Sequence, residues 1–171
     1  MNIRKLISGI CVLAVAAVPF TAFADTTITQ NSDPKSADAA VSTDILPTFT
    51  VTVPSDTTVA FNATATDFGS IELTQAQLEP KKVIKVTVNT AGKMVNSSDS
   101  TCVLPYTISG DDGIGELDVV DGTAMEFVQE GEKCDLTINI TAEDWKAAKA
   151  GEYSDNVTFT IEYADVTVPE P

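Results

Sequence analysis

Apolar and polar residues alternate with period two along most of this chain, and the clearest case is near its end. Between Asn156 and Tyr163, Val157, Phe159, Ile161 and Tyr163 point one way while Thr158, Thr160 and Glu162 point the other. Alternating β-branched and aromatic residues predict a half-buried strand. The same reading predicts strands at Phe49–Val53, Val59–Asn62, Asp67–Leu73, Lys82–Asn89 and Lys93–Val95. It continues with Cys102–Ser109, Glu116–Val120, Ala124–Val128 and Cys134–Ile140. Gly69 sits inside a strand pattern and predicts a bulge or turn, and Pro105 predicts an edge strand or a bulge. One short helix is expected: Thr141 is placed to cap it, Glu143 and Asp144 suit its first turn, and Gly151 ends it. Eight to ten strands with frequent turns predict an all-β, Ig-like antiparallel β-sandwich with one short crossover helix. A closed barrel is the alternative.

The first 24 residues read as an address rather than a fold. Arg4 and Lys5 precede an apolar run of about thirteen residues, Leu6–Val18, and Ala22-Phe23-Ala24 forms a cleavage site before Asp25. The run is short of the ~20 residues that span a bilayer, so cleavage between Ala24 and Asp25 is expected, with no membrane insertion afterwards. The expected organisation is therefore signal peptide 1–24, a Thr/Ser/Asp-rich leader 25–46, a sandwich 47–165 and a tail 166–171. Within the leader, Thr27–Thr29 could add a short strand. The protein is expected to be secreted or displayed on a bacterial cell surface.

Charge narrows the partners. The whole chain has 10 basic and 25 acidic residues. Removing Arg4 and Lys5 leaves 8 against 25, a net charge of 8 − 25 = −17. Such a surface repels nucleic acid and anionic lipid. High solubility is the ordinary reason for it; a basic partner or a cation is the sharper one.

Cysteine usage bears on stability. Cys11 leaves with the signal, and Cys102 and Cys134 remain. Two cysteines in an exported chain are expected to pair. The bridge would close a loop of about 32 residues, worth roughly 3.5–4 kcal/mol in the chain-entropy account.

Catalytic apparatus is not evident. The chain has no histidine, which removes the usual general base, the usual zinc ligand and the Ser-His-Asp constellation. An enzyme is not expected, and neither is a cofactor. The loop bearing Asp111, Asp112 and Glu116 could hold calcium through several carboxylate oxygens, although its spacing matches no EF-hand and a solvated acidic turn is the plain alternative. Trp145, the single tryptophan, is expected either to plug an open end of the sandwich or to offer an aromatic platform to a glycan. An intramolecular isopeptide among Lys85, Asn139 and Glu162 is disfavoured, because their alternation sets them opposite the apolar positions.

Two resemblances follow from these residues. Phe49–Pro54, Lys82–Val88 and the Asp144–Ile161 stretch resemble, in order, secreted Ig-like sandwich proteins of clostridia-type bacteria. That likeness implies a surface or matrix location and no particular activity. The last strand also resembles that of chaperone–usher pilins of the spore-coat-U-like type, through Ala150, Gly151, Tyr153, Asp155, Val157, Thr158, Thr160 and Tyr163. It implies a leader that completes a neighbour's sheet. The chain departs from that pattern in the eight residues after Tyr163 and in a leader without a long run of alternating apolar residues.

The reading that follows is an exported, non-catalytic structural or adhesive protein. It would present loops on a disulfide-braced sandwich to a host or matrix protein or glycan. A pilin-like subunit polymerising by strand donation and a glycan-binding module are the alternatives, and self-association belongs to the first of these.

Overall fold

The computed structural model describes residues 26–166. The expected signal peptide, its cleavage site at Ala24 and Asp25, and the tail beyond Val166 lie outside the described residues. The chain divides into two compact units, 1–43 and 44–171. In the first, the described residues form no strand. The expected strand at Thr27–Thr29 is replaced by a turn in which the Thr29 amide donates to Ser32 Oγ (2.9 Å) and the Ser32 amide to the Thr29 carbonyl (3.2 Å).

The second unit is all-β and antiparallel. A five-stranded sheet has the order β1 (Thr48–Thr52), β2 (Ala65–Gln77), β9 (Lys133–Asn139), β6 (Thr107–Asp111) and β7 (Glu116–Val119). The facing layer is made of two three-stranded sheets. One is β11 (Thr158–Asp165), β3 (Lys82–Asn89) and β8 (Thr123–Phe127); the other is β10 (Tyr153–Ser154), β4 (Lys93–Asn96) and β5 (Val103–Pro105). The second continues the first, since β3 leads into β4 across 90–92 and β10 into β11 across 155–157. This is the antiparallel sandwich with one short helix, α1 (Ala142–Ala147).

Alternation sets the core. Ile71 and Leu73 of β2, Ile84, Val86 and Val88 of β3, and Leu136 and Ile138 of β9 all point between the layers and are buried. Local chemistry fixes the irregularities. Gly69 has φ +99° at a register shift in the β2–β9 pairing, with its amide on Asp67 Oδ1 at 2.8 Å. That is the bulge the sequence predicts, and the conformation suits a residue without Cβ. Thr141 caps α1 by accepting from the Asp144 amide at 3.1 Å.

Three strand expectations change. Cys102–Ser109 is not one strand. It divides into β5 and β6 around Tyr106, because Pro105 has no N–H to continue a ladder, and the two pieces join different layers. Val59–Asn62 forms no strand: Asn62 takes φ +64° in a turn closed by Ala63 N–H on the Ala60 carbonyl. Tyr153–Ser154, ahead of the last strand, pairs with β4 as a separate short strand.

The expected Cys102–Cys134 disulfide is not made; both thiols are free. Asp111 of β6 lies opposite Asp135, and Thr107 opposite Asn139. Cys134 therefore sits at the Asp111 end of β6, about 17 Å along the strand from Thr107 at ~3.3 Å per residue. Cys102 precedes Thr107 by five residues on the far side of β5. A bridge needs Cα atoms within about 7 Å. Cys134 lies instead under Gly110, where a Cβ would meet its sulfur at 2.8 Å. Cys102 donates to Asp99 Oδ2 at 3.3 Å.

Candidate functional site

On one side the sandwich ends, among the described residues, in two edge strands that do not pair with each other. β1 is the last strand of the five-stranded sheet, and β11 is the last strand of its facing sheet; β11 pairs only with β3 among the described residues. The two edges lie on the same side, since Phe49 of β1 stacks on Tyr163 of β11 with ring centroids 6.1 Å apart. Further along, Phe68 of β2 meets Phe159 of β11 at 6.1 Å. At the far end Phe61 meets Trp145 edge-on at 5.6 Å. Between these contacts the layers are bridged by side chains alone, with no strand in the gap.

That gap opens into a cavity of about 630 Å³ bounded by the segment 54–59 on one wall and 153–157 on the other. Its floor includes Leu104 and Ile138, which belong to the core, together with Phe68 and Met94. The inward face of β11 is correspondingly unfinished. Ile161 is 40% exposed, whereas its partner Val86 on β3 is fully buried. Phe49 is 41% and Phe61 81% exposed. Apolar side chains aimed inward beside an unpaired edge present both a ladder and pockets, the two elements by which an added strand is recognised.

The wall formed by 153–157 is held by hydrogen bonds. Tyr106, 6% exposed, donates from its hydroxyl to Asp155 Oδ2 at 2.7 Å and lies 2.7 Å from Thr90 Oγ1. The phenol has one proton, so Thr90 is the donor in the second bond. Burial first, with the Asp155 carboxylate adding to it, pushes the Tyr106 phenol up to about 12, against the opposing bond from Thr90. Trp145 donates from Nε1 to the Ala63 carbonyl at 2.8 Å and packs on the core. It thus ties α1 to the loop ahead of β2 and closes the lower end of the seam. Its ring meets Phe61 edge-on and lies half-buried.

The other candidate residues do not assemble into sites. Asp111 and Glu116 face each other across the β6–β7 hairpin, but their neighbour Asp112 is used up locally. Its Oδ1 accepts from the amides of Ile114 (2.9 Å) and Gly115 (3.0 Å), bonds that hold its carboxyl below the usual range. Asp111 Oδ1 likewise accepts from Gly113 at 2.9 Å. Among the described residues no three acidic, cysteine or histidine side chains converge to hold a metal, so the expected calcium loop is corrected to a carboxylate-bonded turn. Lys85 and Glu162 are cross-strand partners on β3 and β11, whereas Asn139 lies in the other layer, donating to Ser109 Oγ at 3.0 Å. These three residues are not brought together for an isopeptide bond. No helix among the described residues is long and apolar enough to cross a membrane.

The seam itself escaped the sequence reading. Its signal was present in β11, whose inward residues alternate well.

No protein-family model matches the chain, and no curated protein matches it. Among solved structures it is similar to a chain of the chaperone–tip adhesin complex of CFA/I fimbriae biogenesis. The identity is 14% and the TM-score 0.48, over 68% of this chain and 42% of that one. The match thus spans less than half of that protein, and a superposition this loose fixes neither a shared fold nor a shared role.

Proposed function

We propose that the protein is an exported, non-catalytic structural or adhesive subunit of the cell surface or extracellular space, and that it works by docking an extended peptide segment along its open side. The observation that carries this reading is the edge of β11, which pairs only with β3 among the described residues and leaves its inward Ile161 40% exposed, together with a cavity of about 630 Å³ against the segment 153–157 that leads into it. Main-chain groups of the free edge supply affinity in such docking, and pockets for alternate side chains supply selectivity. The N-terminal run Leu6–Val18 followed by Ala22-Phe23-Ala24 supports export. A net charge of −15 for the whole chain keeps it soluble while the seam is open.

The test is expression of the whole chain in a bacterium with an export pathway. The protein should appear outside the cytoplasm with Asp25 as its new N-terminus. An Ile161→Lys variant should be exported equally but should co-purify with less bound protein, since a lysine on the inward face of β11 obstructs an incoming strand. An uncleaved chain retained in the cytoplasm overturns export; unchanged association in the variant overturns the docking role.

A further inference from the structure

The walls of the cavity beside 153–157 carry charge of one sign. Asp56 stands on the wall formed by 54–59 and Asp155 on the facing wall. Among the described residues neither lysine nor arginine lines the cavity, and Asp56 makes no hydrogen bond or ion pair. Asp155 gives Oδ2 to the Tyr106 hydroxyl, and a carboxylate accepts through two oxygens. Two like charges on facing walls repel, and a cation placed between them is drawn by both. Aromatic rings border the same space. Phe61 is 81% exposed at the rim, carried there by the turn in which Asn62 takes φ +64°, and it meets Trp145 edge-on. The face of an aromatic ring also attracts a cation, that of tryptophan most strongly. Behind this acidic and aromatic mouth the floor is apolar.

On this basis we infer that the cavity is a binding site for a small primary amine with an apolar tail. The ammonium group sits at the mouth, between Asp56 and Asp155 and beside Phe61 and Trp145, and the tail lies on the apolar floor. An aliphatic amine is protonated at neutral pH, as the lysine amine is with its pKa of about 10.4. A carboxylate on the same tail would be repelled by both aspartates, and an alcohol would bring the tail without the charge. The cavity, at about 630 Å³, is within the range of about 300–1,000 Å³ in which small molecules bind. Binding of this kind uses the cavity and not the free ladder of β11, since Ile161 does not line it. It therefore goes beyond the docking of a peptide and stands or falls apart from it.

The test is titration of the exported chain with hexylamine, hexanol and hexanoate, read by tryptophan fluorescence. Trp145 is the single tryptophan, so its emission reports on this cavity. Hexylamine should give a saturable change, with hexanol at least about tenfold weaker and hexanoate without effect. Asp56→Asn and Phe61→Ala should each weaken hexylamine about fivefold. Both side chains are exposed, so neither change threatens the fold. Glu130→Gln lowers the net charge as Asp56→Asn does but lies in the turn between β8 and β9, away from the lining residues, and should bind hexylamine like the unaltered protein. Ile161→Lys should also bind it normally, whatever becomes of peptide docking in that variant. Hexanol binding as tightly as hexylamine would overturn the inference, because the carboxylates would then select nothing. Equal weakening in Asp56→Asn and Glu130→Gln would overturn it too, because the amine would then follow net charge rather than this site. An emission that does not respond to hexylamine overturns it outright.

Discussion

Phe49 and Tyr163 stack with 6.1 Å between ring centroids and 21° between planes, joining the edge strands of two different layers. β1 pairs with β2 and β11 with β3, so the pair reaches across the open side of the sandwich without any main-chain hydrogen bond beneath it. The Tyr163 hydroxyl also accepts from the Glu79 amide at 2.9 Å. A double-mutant cycle of Phe49→Ala and Tyr163→Ala should give a coupling of about 0.5–1.5 kcal/mol, the usual range for an aromatic pair. Measured by urea denaturation, a coupling near zero would mean the two edges are held apart in solution.

Tyr106 gives a pH dependence with a definite sign. Its phenol sits near 10 when unfolded and is pushed up to about 12 by burial and by Asp155. The unfolded chain therefore loses this proton first. The stabilisation is whole below pH 10 and is lost as pH rises from about 10 to about 12. Thermal melts of the native protein should fall across that window, and a Tyr106→Phe variant should fall less steeply while starting about 1–2 kcal/mol less stable for lack of the bond to Asp155.

Gly151 is tied to Asn96 by space. It has φ +149°, and a Cβ built there would lie 2.2 Å from Asn96 Nδ2. Asn96 is 5% exposed and holds the following turn by accepting from Ser98 (2.9 Å) and Asp99 (3.2 Å). Gly151→Ala should cost about 2 kcal/mol or more, seen as a lower urea midpoint. Gly131→Ala is the comparison, since a Cβ there meets nothing within 4 Å. It too has positive φ, at +89°, so backbone strain is common to both substitutions and the difference between them reads the clash with Asn96.

The thiols should behave as two unlike singletons. Burial, reinforced by Asp112 and Asp135, pushes the Cys134 thiol up to about 11, while Cys102 is half-exposed. The exported chain, denatured without reductant, should titrate two thiols with a chromogenic disulfide reagent. Before denaturation Cys102 should react first and Cys134 only on unfolding. A count of zero would mean that a bridge forms after all.

The legible part of this fold was local. Alternation places β3, β9 and β11, Gly69 marks its bulge, and Thr141 marks its cap, because each depends on neighbours in sequence. Sheet membership was not legible: Pro105 signals a break, but nothing nearby says that β5 and β6 join different layers. The cysteine pairing failed for the same reason, as the positions of Cys102 and Cys134 along their strands are set by register across sheets. The calcium expectation failed on competition. Asp112 Oδ1 is already engaged by the amides of Ile114 and Gly115.

That competition predicts an acid response and no metal response. Asp112 is held below its ordinary value, so its contribution to stability is present above the unfolded carboxylate range and is lost as pH falls through its lowered folded value. Melting temperature should be the same in calcium and in chelator. A rise on adding calcium would mean that the hairpin rearranges to bind it.

The central claim is that the edge of β11 is an acceptor for a strand, and amide hydrogen exchange along Thr158–Asp165 reads it directly. At low concentration the amides on the open edge should exchange fast while those bonded to β3 stay protected. With the co-purified partner bound, the open-edge amides should become protected. Open-edge amides that are already protected in the isolated protein, or that stay unprotected with the partner bound, would contradict the account.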